Sequence, residues 1–262
     1  MSTDSVSNIV IVGRDAPAWL AACVMQSALG PAGVNVTVVE LPSALRVHDV
    51  YATLPALEAL HHRLRIDEAT LLGSTGGAFS LGQNFADTSG ATPSFFHAYG
   101  SYGAPIDNKA FLPYWLMARS FGLQVALDDF SLTAAAAKHG RMLIPDTATA
   151  TYGRTDYGYH LPAIEYARVL KNAALRRGVN VHTAHAVGAL LDPDDGSVVA
   201  LQAAGGLRVA GEFFIDATGT ESWLLGSVLG VQRDSWRQSF PVDRQLVSSG
   251  DRLAIIPPYA DV

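Results

Sequence analysis

The stretch from Asn8 to Glu40 constrains this chain more than any other. Asn8-Ile9-Val10-Ile11-Val12-Gly13 is a short apolar run closed by a glycine, and residues 16–29 follow at once as an alanine-rich helical segment. Gly30-Pro31-Ala32-Gly33 punctuates the chain before Val34-Asn35-Val36-Thr37-Val38-Val39-Glu40, whose near-continuous apolarity suits a strand buried on both faces. Strand, helix and strand within about thirty residues make a βαβ unit, with parallel strands and a right-handed crossover. The expected class is α/β, built on a Rossmann-like sheet.

Downstream, Thr53 is placed to cap a helix that carries Pro55 in its first turn and ends near Arg65. Residues 73–103 change to glycine, serine, threonine and aromatics, the text of extended strands and loops over a site. Residues 108–121 and 129–138 read as helices, the second capped by Asp128, Asp129 or Ser131, and a polar link follows. Residues 164–177 form an amphipathic helix, closed by Arg176 and Arg177 in the last turn and by Gly178 after it. Three β-rich segments, 179–187, 196–203 and 207–216, read as a β-meander. No internal repeat and no long linker interrupts this order, so residues 1–262 are expected to form one interwoven domain.

Composition narrows the partners. Acids outnumber bases by 24 to 18 with no Lys/Arg run, which argues against nucleic acid. Cys23 is the single cysteine, so neither an internal disulfide nor a zinc ribbon can be built. The eight histidines include no HxxxH pair, and no G-x-S-x-G occurs, so metal hydrolysis and serine hydrolysis both lack their residues. No basic n-region precedes an apolar stretch, and no run of 18 apolar residues follows, which points to the cytoplasm and away from a membrane.

The first βα turn reads Gly13-Arg14-Asp15-Ala16-Pro17-Ala18, where a dinucleotide fingerprint would read G-x-G-x-x-G/A. Gly13 and Ala18 meet its first and third positions. Asp15 takes the second and brings a carboxylate toward a pyrophosphate, a repulsion on the order of 3 kcal/mol at ~5 Å and an effective dielectric of ~20. The other reading makes Asp15 the cap of the helix. Glu40 ends the second strand, where such folds carry an acid that hydrogen-bonds a ribose; a solvated strand end is the alternative. Phe213-Phe214-Ile215-Asp216-Ala217-Thr218-Gly219 is another apolar strand entering a small-residue turn, with a helix expected over residues 221–229. Asp216 and Gly219 are its candidate flavin- or phosphate-facing residues.

Taken in order, these segments resemble the flavin-dependent tryptophan halogenase family, a branch of the FAD monooxygenase-like flavoproteins. The likeness rests on Ile11-Val12-Gly13 with Ala18-Trp19, Val38-Val39-Glu40, Ala52-Thr53-Leu54-Pro55, Gly77-Ala78-Phe79 and Phe96-His97-Ala98-Tyr99-Gly100. It continues through Asp128-Asp129-Phe130-Ser131-Leu132, Tyr157-Gly158-Tyr159-His160, Phe214-Ile215-Asp216-Ala217-Thr218-Gly219 and Pro241-Val242-Asp243-Arg244. The resemblance implies an FAD/NAD(P)-binding sheet with a partial substrate module drawn from about residues 75–160. It also implies reduced FAD delivered by a separate flavin reductase, hypohalous acid as the oxidant, and a lysine that hands halogen to an indole or similar ring. By position, Gly13, Asp15, Ala18, Glu40, Ala52, Thr53, Asp216 and Gly219 are then cofactor residues, and His97 and Tyr99 stack on substrate.

The chain departs from that pattern at three places. The family's lysine follows the phenylalanine that is Phe79 here, and the residue present is Ser80, which has no amine to carry halogen; Lys109, Lys138 and Lys171 all lie elsewhere. The family's GxGE strap is His48-Asp49-Val50-Tyr51, which implies weakened flavin affinity. By the resemblance, a chain that stops at Val262 lacks the W-x-W-x-I-P segment, the catalytic glutamate, the halide loop and most of the substrate module, so the expectation is a truncated gene or half of an enzyme. The expectation that follows is a truncated halogenase-like protein impaired in halogenation. Two others stay open: a non-catalytic binding or oligomerising protein that uses the His97 and Tyr99 loop, and a flavin monooxygenase that needs no lysine.

Overall fold

The structure, a computed structural model, describes residues 6–143, 156–240, 242 and 255–262. The βαβ unit forms as its residue pattern dictates: β1 (Asn8–Gly13), α1 (Asp15–Leu29) and β2 (Asn35–Glu40). Gly33 makes the turn into β2 at φ +86°, a conformation open to glycine without steric cost. β3 (Val50–Ala52) and α2 (Ala56–Arg63) follow, but Thr53 does not cap α2, whose N-terminus carries no side-chain cap. Its hydroxyl instead accepts the Tyr159 amide at 2.8 Å, because Thr53 is drawn into backbone pairing with Tyr159.

Residues 68–75 hold a helix that the glycine- and threonine-rich text conceals. This is α3 (Glu68–Thr75), capped by the Asp67 carboxylate on the Thr70 amide and ended by Gly76 at φ +68°. The extended region expected from residue 73 therefore starts after it, as β4 (Ala78–Ser80), β5 (Gly82–Phe85) and β6 (Phe95–Ala98). Of the three cap candidates for α5 (Leu132–Lys138), which follows α4 (Phe111–Ser120), Ser131 is the one used, accepting the Ala134 amide. Asp128 instead pairs with Lys138. Residues 144–155 of the polar link fall outside the described residues, as do Pro241, Asp243 and Arg244 of the last family motif.

Beyond the link come β7 (Gly158–Pro162), α6 (Ala163–Arg176), β8 (Asn180–Thr183), β9 (Val187–Leu191), β10 (Val198–Ala203), β11 (Arg208–Ala210), β12 (Phe213–Ala217) and, near the end, β13 (Ala260–Asp261). The expected meander is divided differently. β9, β10 and β11 form the antiparallel three-stranded sheet, whereas β8 and β12 join the parallel sheet, whose order is β12-β1-β2-β8. Gly211 ends the third β-rich segment's stay in the meander, and Phe213 then pairs beside Ile9. The helix expected over 221–229 is broken as well. Ser222 stands at φ +46°, so a short 3-10 turn (Gly219–Glu221) and a π-helical turn (Trp223–Val228) replace it.

Contacts group the chain into two compact units, one of residues 1–49 with 163–250 and one of residues 50–162 with 251–262. In the first, β1 lies between β2 and β12, and Ile11, Val12, Val36 and Val38 are all but sealed from solvent. Helices α1 and α6 pack against each other, and both bury small residues, Ala22 and Cys23 on one and Ala173 and Ala174 on the other. Cys23 sits in that seam, its thiol donating to the Leu170 carbonyl, and burial pushes its pKa up to about 11, so it is no nucleophile at neutral pH.

The second unit holds two three-stranded sheets, β3-β7-β4 and β13-β5-β6. Leu81, Phe96, Ala98, Ala134 and Ala137 form one core cluster there, against Tyr259. A second cluster is polar. Glu68 accepts from the phenols of Tyr157 at 2.9 Å and Tyr159 at 2.5 Å, and burial together with that carboxylate drives both phenols well above the ordinary tyrosine pKa. His61 stacks on Tyr159, and burial lowers it to about 4, so it is neutral at physiological pH. By contrast α4 buries none of its residues, leaving Leu112, Leu116 and Met117 exposed. No described helix is long and apolar enough to cross a membrane.

Because Ile11 is fully enclosed at the centre of the parallel sheet, Ile11→Ala should cost about 3 kcal/mol of unfolding free energy, measured by urea denaturation followed by circular dichroism.

Candidate functional site

Register across the parallel sheet brings the candidates of the first unit into one row. Gly13 stands opposite Ala217 on one side and Glu40 on the other, and Glu40 stands opposite Thr183. All four residues lie toward the carboxyl ends of parallel strands, the edge where open α/β sheets receive ligands. Gly13 is held there by space, since a Cβ on it would meet the Ala217 carbonyl oxygen at 2.3 Å. Ala18 is buried on α1, where a small residue lets the helix lie close to the strands.

Asp15 follows at φ +57°, the left-handed conformation that favours glycine and that aspartate tolerates better than most residues. It does not cap α1, which has no side-chain cap. Its Oδ2 accepts the Ala44 amide at 3.1 Å, so the positive φ turns the carboxylate onto the loop after β2. Arg14, which the sequence did not single out, closes the other side with a two-pronged ion pair to Glu221 at 2.7 and 3.1 Å.

Glu40 is held from α6. Lys171 Nζ donates to both carboxylate oxygens, at 2.8 and 2.7 Å, and lies 5.2 Å from the centre of the Trp19 ring. Asp15, Trp19, Glu40, Ser43, Arg168 and Lys171 line a small cavity of about 180 Å³ at this sheet edge. No spacing rule would have found Lys171, because it sits 131 residues from Glu40 and only the fold joins them.

Asp216 has a turn to build. Oδ1 accepts from the Thr218 hydroxyl and amide, and Oδ2 from the amides of Leu224 and Leu225. Burial alone would raise its pKa, but these four bonds, the Thr218 hydroxyl foremost, outweigh it and hold the carboxyl below its usual range. Gly219 begins the 3-10 turn at φ +73°.

The other candidates lie in the second unit. Ala52 pairs with His160 across β3 and β7, and Thr53 is buried. Ser80 is enclosed to 1% exposure at the end of β4, beside the Tyr99 phenol, and its hydroxyl donates to the Gly82 carbonyl. The Tyr99 hydroxyl donates to the Thr53 backbone carbonyl at 3.4 Å, while the Thr53 hydroxyl is taken up by the Tyr159 amide. His97, two residues along β6, faces outward. It lines an open cleft of about 510 Å³ with Tyr99, Pro55, Glu58 and Asp156. Glu58 and Asp156 carried no motif and were not anticipated. Among the described residues no His/Cys/Asp/Glu group could hold a metal ion.

Comparison with known proteins gives one consistent result. The family model for tryptophan halogenase matches residues 8–262. The chain is 29% identical over 245 residues to tryptophan 7-halogenase KtzQ of Kutzneria sp. (strain 744), an alignment covering 87% of this chain and 45% of that protein. Among solved structures it superposes on Xcc4156, a flavin-dependent halogenase from Xanthomonas campestris, with TM-score 0.80 and 30% identity, over 90% of this chain and 46% of that one. BrvH, a flavin-dependent halogenase from Brevundimonas sp. BAL3, gives 0.81 and 29% over 90% and 47%. The chain thus spans about half the length of the relatives it matches.

The Asp216 turn generates a pH-dependent expectation. Its carboxyl pKa is depressed in the folded state, so its contribution is complete above the unfolded value of about 3.9 and is lost as pH falls through the folded value. Asp216→Ala should cost about 3 kcal/mol at neutral pH by leaving amide donors unmatched. The difference from wild type should shrink on acidification, which urea melts at pH 7 and pH 3 will measure.

Proposed function

The chain belongs to the tryptophan halogenase family, and from that premise we propose that its first unit holds FAD by the adenosine half, while Ser80 leaves it without the family's halogen relay. The observation that carries the reading is the row Ala217, Gly13, Glu40 and Thr183 at the carboxyl edge of the parallel sheet. The residues there fit a dinucleotide. Gly13 gives the close strand approach, Glu40 offers a fixed carboxylate for ribose hydroxyls, and Asp15 adopts the left-handed turn with its charge drawn aside by the Ala44 amide. Gly219 and the Asp216-built turn flank the same edge.

Bound reduced FAD, supplied by a separate flavin reductase, would furnish the electrons that activate oxygen toward halide. The chain's own contribution at the transfer point is a buried alcohol, Ser80. Ser80 has no ammonium to hold hypohalous acid and no nitrogen to carry halogen, and its hydroxyl is engaged by the Gly82 carbonyl. His97 and Tyr99 flank a cleft of a size for an indole-like ring, with Tyr99 held from behind by Thr53. That cleft also favours the second reading, an aromatic-ligand binding protein that performs no transfer.

Two measurements test the proposal in sequence. Titration with FAD, followed by flavin fluorescence and by thermal unfolding, should show saturable binding; a folded protein that ignores FAD removes the flavin reading and leaves the aromatic-ligand reading. Coupled to a flavin reductase with bromide or chloride and indole, the protein should yield no halogenated product above the reductase-only control. Halogenated indole above that control would overturn the role given to Ser80.

A further inference from the structure

Lys171 is one of three lysines in the chain, and no motif claims it. It projects from α6 with its side chain 35% exposed beside a Glu40 side chain that is 19% exposed, and its two bonds to the carboxylate differ by only 0.1 Å, 2.8 against 2.7 Å. A single ammonium placed symmetrically on both oxygens stops the carboxylate from rotating, and the Thr183 hydroxyl adds a weaker donor at 3.4 Å from the neighbouring strand. The lysine is fixed in turn by Trp19, a buried indole whose face attracts its charge. A carboxylate offers about four lone-pair positions, and these donors occupy three, so the remaining one has a set direction.

Charge makes the same point. Asp15 and Glu40 both line this cavity, and an anionic dinucleotide beside two uncompensated carboxylates would be repelled. Arg168 already pairs with Glu165 on its own helix. Lys171 is the cation set against Glu40.

We infer that Lys171 is a positioning residue for adenosine recognition: it orients the Glu40 carboxylate toward the ribose and cancels its charge, so that an anionic nucleotide is accepted at the sheet edge. This rests on the flavin reading above and deepens it. Lys171 acts through Glu40 and takes no part in chemistry on the ring system, so its signature is in binding of the adenosine half alone.

The test uses isothermal titration of the full chain with FAD, ADP and 2′-deoxy-ADP. Wild type should bind FAD and ADP and prefer ADP to its deoxy analogue. Lys171→Met should weaken FAD and ADP by the same factor, about tenfold, and abolish the preference for ADP, whereas Lys171→Arg should keep both affinities within about threefold. On a Glu40→Gln background the Lys171→Met change should have no further effect. Lys171→Gln, which keeps a polar head on the stem, gives the same reading if the methionine variant melts early. Wild-type affinity and ADP preference in both the Met and Gln variants would overturn the inference, as would an equal loss on the Glu40→Gln background. If wild type itself binds neither FAD nor ADP, the flavin reading falls and this one with it; if wild type binds and the variants do not differ, only this one falls.

Discussion

The absence of a side chain at Gly13 is the constraint on which the first unit depends. A methyl group there would overlap the Ala217 carbonyl, so only glycine lets β1 and β12 run side by side to their ends. That closeness aligns the strand ends of β12, β1, β2 and β8 and so sets Glu40 in one row with Gly13 and Thr183. Helix α6 then packs on α1, and this contact delivers Lys171 to Glu40. The ion pair is a consequence of packing: two half-covered charges brought together by a seam of small residues, with Trp19 as the wall.

Asp15 shows how a local departure is absorbed. In sequence it puts a carboxylate where the fingerprint has glycine, and the simplest account makes it a helix cap. The structure keeps the glycine-like conformation, φ +57°, and spends the carboxylate on the Ala44 amide. The left-handed geometry costs about 1 kcal/mol for an L-residue. One hydrogen bond to a charged acceptor offsets a cost of that size and also braces the loop leaving β2.

The second unit solves a different problem, the burial of polar side chains. Two phenols share the Glu68 carboxylate, and the hydroxyls of Thr53, Ser80 and Tyr99 each find a backbone partner, the Tyr159 amide, the Gly82 carbonyl and the Thr53 carbonyl. Each buried oxygen in these sets has a partner, which is the condition for placing polar groups in a core without a large penalty. Ser80 is therefore part of the fabric of its unit, and its chemistry is that of a hydrogen-bonded alcohol.

Much of this was legible in the residues. The apolar run into Gly13, the alanine-rich helix and the β-branched run into Glu40 name their own structures, because a period of two or 3.6 and a closing glycine are local properties of the chain. The amphipathic helix before Gly178 and the family likeness are local in the same sense. What stayed hidden were decisions between segments of similar text. Residues 180–183 and 213–217 have the composition of meander strands, and only pairing partners far along the chain assign them to the parallel sheet. Helix α3 was masked by glycine and threonine, and Thr53 left its helix for Tyr159. By itself the sequence determined the α/β class and the place of Glu40 at the carboxyl end of the second strand. Tertiary structure alone decided that Glu40 meets Lys171 and that Thr53 meets Tyr159, because each is a contact between distant segments whose energy exists only once the chain has closed on itself.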